Sequence, residues 1–383
     1  MARALYIHWP FCLAKCPYCD FNSHVRDTFD EVLWRQALLA DMAREAQVAG
    51  GEELASVFFG GGTPSLMPPS LVERLLQEAE ALWGFAPGIE ITLEANPSSV
   101  EAEKFAALAS AGINRVSLGL QALDDQTLGF LGRLHSADEG LRALGIAQQH
   151  FTRVNFDLIY ARPGQTLEQW EAELARALAL GTGHLSLYQL TIEPGTRFET
   201  MVRQGQFEPL DDDTCADLFA LTREMTEAAG LPAYEVSNHA RPGEESRHNL
   251  TYWRYQDYCG IGPGAHGRRG GLATVRHKKP ENWLDAVAAQ GDGIAEVRTL
   301  GIREQATEAL LMGLRLAEGI DLGALSFRFG LKVEELFNHQ KFGFWVSQGW
   351  AWNEGPRVGI SSDMMVLLDS FLRDVIPDHL ADA

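Results

Sequence analysis

Residues Tyr6–Phe21 read YIHWPFCLAKCPYCDF. Cys12, Cys16 and Cys19 stand in a C-x3-C-x2-C arrangement, directly behind Ala4–Phe11, an apolar, aromatic-rich run that reads as a β-strand. Three is an odd number for disulfides, and a structural zinc takes four protein ligands. Three thiolates on one compact loop suit a [4Fe–4S] cube with one iron left open. A small molecule can bind that iron through amine and carboxylate groups. Two other readings stand beside this one. One is a zinc site completed by His8, Asp20 or His24; the other is three buried, inert cysteines. The polarity and tight spacing of the loop oppose the last.

The strand behind the cysteines is the first of six. Leu54–Gly60, Ile89–Ala95, Arg115–Gln121, Arg153–Tyr160 and His184–Leu190 are likewise short and near-continuously apolar. Asp30–Ala49, Pro69–Trp83, Ser99–Ala111, Ala137–His150 and Leu167–Leu180 lie between them with helical periodicity. Strand followed by helix, repeated, predicts an α/β fold with a parallel sheet and right-handed crossovers, doubly wound or closed into a partial barrel. Polar and glycine-rich residues gather at the strand ends: the cysteines, Gly60–Pro64, Glu94–Pro97, Gln121 and, within the fifth strand, Asp157. In such folds the C-terminal ends of the strands carry function. Gly205–Pro263 is mixed and holds the dense stretch SRHNLTYWRYQDYCGIGPGAHG. From about Arg303 the pattern turns helical (Glu304–Leu316, Leu322–Phe329, Val333–Gln348), followed by a hairpin at Trp350–Ile360 and a last helix at Ser362–Asp374. That order predicts a small winged-helix-like domain.

A net charge of −20 opposes nucleic acid and anionic membranes as partners. The winged-helix-like region offers no exception: residues 298–383 hold 8 Lys and Arg against 12 Asp and Glu. No apolar run is long enough to span a bilayer, and the first residues show no secretory signal. A cytoplasmic, reducing setting is expected, where clustered cysteines bind metal more often than they pair.

The motifs around these residues resemble the radical SAM proteins, and among them the family of oxygen-independent coproporphyrinogen III oxidase and its relatives. The likeness runs through YIHWPFC, CPYCDF, FFGGGTPS, LEANP, SLGLQ, LGRLH, NFDLIY with PGQT, LYQLTIEPGT and RHNLTYW. It implies a partial (β/α)6 barrel followed by a small C-terminal domain. It also implies that S-adenosylmethionine (SAM) is the molecule on the open iron, where an electron from the cluster can split its carbon–sulfur bond. By the same resemblance Gly61, Gly62 and Thr63 meet the methionine amino group, and Glu94 the ribose hydroxyls. Gln121, Arg133 and Asp157 line the pocket, with Arg133 suited to the SAM carboxylate. Tyr6 stands close to cluster and SAM, and Tyr18 on the substrate side. One departure is visible: Ala161 and Arg162 stand where the family usually shows Gly-Leu.

Two features separate branches of the family. The oxidase carries a further cysteine two residues after the third; here that position is Phe21. HNLTYW (His248–Trp253) matches the H-N-x-x-Y-W signature of the heme-chaperone branch. An imidazole can ligate heme iron, which makes His248 the candidate heme ligand, although a buried hydrogen-bonding role explains it equally well. The expected function is binding of heme and its hand-over to apo-hemoproteins, with a non-catalytic role for cluster and SAM. A reductant for the cluster and a homodimer complete the expected partners. The competing expectation is an enzyme that decarboxylates coproporphyrinogen III to protoporphyrinogen IX. The expected domains are a core over 1–230, a connecting segment over 231–300 that carries HNLTYW, and a small domain over 301–383.

Overall fold

Parallel strands that pair in sequence order through crossovers of one hand place their helices on one face, around the outside of a curved sheet. The computed structural model describes residues 3–26, 28–50 and 52–381; the outermost limits of the expected domains, residues 1 and 383, lie outside it. Strands β1 (Ala4–Trp9), β2 (Leu54–Gly61), β3 (Phe85–Ala95), β4 (Arg115–Gln121), β5 (Arg153–Tyr160) and β6 (His184–Gln189) pair in sequence order, all parallel. Helices α1 (Glu31–Ala49), α2 (Pro69–Trp83), α3 (Ala137–His150) and α4 (Leu167–Ala179) form the crossovers. Ser136 with Glu139 and Thr166 with Gln169 form capping boxes that fix where α3 and α4 begin. This is the partial β/α barrel the sequence predicts. The expected helix over Ser99–Ala111 is instead two short ones, Ser99–Ala102 and Phe105–Ser110.

Residues 231–300 do more than connect. Strand β7 (Asn238–Ala240) pairs antiparallel with β6 at one edge. Strands β8 (Tyr258–Ile261), β9 (His266–Arg269), β10 (Leu272–Arg276) and β11 (Ile294–Thr299) extend the other edge, giving the order β11-β10-β9-β8-β1-β2-β3-β4-β5-β6-β7. β8 lies parallel to β1 with Tyr6 opposite Gly260. A buried charge cluster fastens this extension to α1. Asp41 accepts from Arg276 Nε at 2.8 Å, from Gly262 N at 3.0 Å and from Trp283 Nε1 at 3.2 Å. Glu45 takes Arg276 Nη2 at 3.0 Å and Arg269 Nε at 2.5 Å. Removing one partner of such a cluster leaves a buried charge uncompensated, at a cost of about 3–5 kcal/mol.

The C-terminal residues have their own core around Leu310, Phe337, Trp345 and Phe371. Helices Ile302–Gly313, Leu322–Phe329, His339–Ser347 and Leu368–Val375 surround a three-stranded sheet of Ile320–Asp321, Arg357–Ile360 and Ala351–Glu354. The helix expected over Val333–Gln348 is broken at Asn338, whose side chain caps the second piece by accepting from Lys341 N at 3.1 Å.

Candidate functional site

The cysteine loop is closed at its base by a two-residue ladder, Phe11–Cys12 against His24–Val25. It is then held from both flanks. On one side Asn22 Nδ2 donates to Pro263 O (2.9 Å) and Lys278 O (3.0 Å). On the other, Pro17 O accepts from Phe198 N at 2.9 Å, and Pro17 lies so near Gly132 that a Cβ there would come within 2.6 Å of its ring. Thr63 Oγ1 donates to Cys12 Sγ and Arg133 Nη1 to Cys16 Sγ, each at 3.4 Å, while Cys19 Sγ meets Ser23 Oγ at 4.0 Å.

All three thiols are free, half-buried and line one cavity of about 140 Å3. Gly61 reaches it at the end of β2 with Gly62 and Thr63 just beyond, Glu94 from β3, Gln121 from β4, Arg133 from the loop before α3, and Asp157 from β5. The cluster and SAM candidates thus converge on one spot. Tyr6 stands in an adjoining cavity, and His248 lines neither.

The backbone at this spot is shaped for close approach. Gly61 has φ +110°, and a Cβ on it would run into the His8 ring. Its N–H donates to Glu94 Oε2 at 3.1 Å. Gln121 holds φ +72°, a strain of roughly 1–3 kcal/mol for a residue other than glycine, and such strain gathers at functional sites. Asn96, not singled out from the sequence, ties the walls together. Its Nδ2 donates to Thr63 Oγ1 at 3.1 Å, and its Oδ1 accepts from Arg133 Nη2 at 2.6 Å. The only hint in the sequence was its place inside LEANP.

Burial raises the Glu94 carboxyl to about 8, helped by the charge of Asp157 and opposed by the Gly61 amide. Burial likewise raises Asp157 to about 6, against hydrogen bonds from Ser186, Asn155 and Ser117. Two acids held so far above their usual range in one cavity mark a candidate binding site. Arg133 brings the opposite charge. Its Nη2 also donates to Gly119 O at 2.7 Å, but its buried Nε has no partner among the described residues.

These donors fit a [4Fe–4S] cluster better than a single zinc ion. Among the described residues no three His, Cys, Asp or Glu side chains are grouped to hold one ion. His8 is already engaged at both ring nitrogens: Nε2 donates to Asn22 O at 2.9 Å and Nδ1 accepts from Tyr6 OH at 3.0 Å. Three thiols around one cavity suit a cluster whose irons are spread apart. Arg133 and the two acids fit a ligand with a carboxylate, an amine and hydroxyls.

His248 departs from the expectation. It sits on α5 (Arg247–Trp253) and is only 1% exposed. Nδ1 meets Ser56 Oγ at 3.0 Å, Nε2 meets Tyr252 OH at 2.8 Å, and Phe58 stacks on the ring at 4.8 Å. Burial lowers its pKa to about 3, so the ring is neutral. Neither nitrogen is open to iron in this arrangement, and the heme-ligand assignment does not fit it.

The Ala161–Arg162 departure is accommodated locally. Ala161 takes φ +56°, where glycine is at ease, and Arg162 Nη2 pairs with Glu173 Oε2 at 2.5 Å beside, not within, the cavity.

A partial β/α barrel with three thiols and an acid- and glycine-lined cavity at its strand ends is the architecture of a radical SAM protein. The Radical SAM superfamily pattern matches residues 6–177, and the HemN C-terminal domain pattern matches residues 303–342. Heme chaperone HemW of Escherichia coli K12 is 43% identical over 82% of this chain and 83% of its own length. Heme chaperone HemW of Haemophilus influenzae is 43% identical over 88% and 89%. The mouse radical S-adenosyl methionine domain-containing protein 1, mitochondrial, is 43% identical over 83% and 74%. Coproporphyrinogen III oxidase (HemN) from E. coli superposes with a TM-score of 0.81 over 97% of this chain and 89% of its own, at 20% identity, so it shares the fold. The chain belongs to the HemN-like HemW branch of the radical SAM superfamily.

Proposed function

We propose that this protein is a heme chaperone that binds heme and passes it to apo-hemoproteins. The observation that carries the reading is the likeness, at 43% identity over most of both chains, to proteins named heme chaperone HemW. Phe21 in the cavity wall supports it, since the oxidase position is a cysteine.

Cys12, Cys16 and Cys19 would hold a [4Fe–4S] cluster, and Arg133, Glu94, Asp157, Gln121 and Gly61–Thr63 would hold SAM on its open iron. When bound, the pair supplies a cation-bearing, redox-sensitive centre at the strand ends. The protein's own residues do the positioning. Asn96 aligns Arg133 with Thr63, the Gly61 amide fixes Glu94, and Tyr6 donates to His8, which locks the loop at Asn22. A reductant, a homodimer and residence in the cytoplasm belong to the same proposal; five free thiols suit a reducing compartment. No helix among the described residues is long and apolar enough to cross a membrane.

The test is anaerobic reconstitution of the full chain. Heme added to it should give a Soret band, and an apo-hemoprotein added next should take the heme up. Coproporphyrinogen III with SAM and reductant should remain unconverted. Repeated turnover to protoporphyrinogen IX would establish the oxidase instead.

A further inference from the structure

Beside the cluster cavity lies a second one, of about 340 Å3, that shares Phe21, Gly61 and Glu94 with it. Tyr6, Tyr252 and Tyr258 line its walls, and the exposed side chains of His266 and Lys278 stand at its edge. Phe21 is 59% exposed, an apolar ring left at the rim. Aromatic walls, an imidazole and one cation are what a flat, apolar macrocycle with iron at its centre and carboxylates on one side requires.

The histidines around the cavity are not equivalent. His8 and His248 have both ring nitrogens engaged. His266 has no hydrogen-bond partner for its ring among the described residues. Partial desolvation and the Lys278 charge lower its pKa, which favours the neutral ring, the form that ligates metal.

We propose that heme binds in this cavity with the His266 imidazole as axial ligand, Tyr252 and Tyr258 against the macrocycle, and Lys278 paired with a propionate. This rests on the heme-carrier reading above and gives it a site. The volume lies at the low end of ligand pockets, so part of the macrocycle stays at the rim, where an acceptor can reach it.

The segment that carries His266 is rigidly tied to the cysteine loop. Gly262 and Gly264 hold φ +90° and +81°, and a Cβ at Gly264 would run into the Asn22 amide. Asn22 in turn binds the carbonyls on either side of His266, at Pro263 and Lys278. The loop and the His266 segment thus share one anchor, which holds His266 in place.

The experiment is heme titration of the reconstituted full-length protein, followed in the Soret region. The wild type should show a histidine-ligated spectrum. His266→Gly should lose that spectrum and bind at least about tenfold more weakly, and added imidazole should restore the band. Iron–sulfur content serves as the fold control. No heme binding by the wild type overturns the carrier reading itself. Heme binding with an unchanged spectrum in His266→Gly overturns this site alone. If that variant does not fold, Lys278→Ala decides: weaker binding with the wild-type spectrum supports the placement, and unaltered affinity overturns it.

Discussion

The cluster cavity and the aromatic cavity meet at Gly61 and Glu94, yet they are assembled in opposite ways. The first is gathered from the ends of five consecutive strands, one residue or motif from each. The second joins β1 to β8 and β9, segments about 250 residues apart in the chain, through Asn22 and two glycines. A site built from successive strand ends tolerates change in the loops around it. A site built where segments far apart in the sequence meet on neighbouring strands depends on the few contacts that hold those segments together.

Cluster thiols should matter absolutely to one cavity and little to the other. Cys16→Ala should lower iron retained after reconstitution to background. Without SAM, its heme affinity should stay within about twofold of wild type in a Soret titration, as for independent sites. Loss of both would merge the two cavities into one.

Gly61 lines both, so Gly61→Ala should damage both. Its φ of +110° and the crowding of His8 predict a loss of about 2 kcal/mol or more, read as a lower urea midpoint. Heme and SAM affinity should fall together.

Glu94 separates stability from binding. Its carboxyl is raised to about 8 in the fold against about 4 in the unfolded chain, so the folded form holds the proton more tightly and stability falls as pH rises through that window. Glu94→Gln should flatten this profile. It should stabilise the SAM-free protein at pH 8 by on the order of 2 kcal/mol in urea melts, while weakening SAM about tenfold by equilibrium dialysis.

The smallest effect lies outside both cavities. Ala161→Gly should relieve a left-handed residue and stabilise the fold by up to about 1 kcal/mol, read as a higher urea midpoint, with SAM and heme affinities unaltered.

The same contrast explains what the sequence made legible. β1–β6 are apolar runs flanked by periodic helices, so their order and their functional ends could be read residue by residue. Cys12, Glu94, Gln121 and Asp157 each follow, end or interrupt such a run, whereas Arg133, in the loop before α3, is legible only through the family resemblance. β8–β11 are short, β8 and β9 are interrupted by glycine, only β8 pairs with β1, and the buried Asp41–Arg276 contact that ties this extension to α1 is recorded by no local pattern. His248 stood out within HNLTYW, but only the fold shows that Ser56 and Tyr252 occupy its nitrogens. His266 lay within the quoted GIGPGAHG and carried no signal until the fold set it beside Tyr258 and Lys278.

The most direct test of two adjoining cavities, one for cofactor and one for cargo, is the heme dissociation constant of the reconstituted protein with and without SAM. A shared wall at Phe21, Gly61 and Glu94 predicts that SAM changes it by at least about fivefold, and that heme changes SAM affinity by the same factor. Equal heme constants in the presence and absence of SAM would contradict the account.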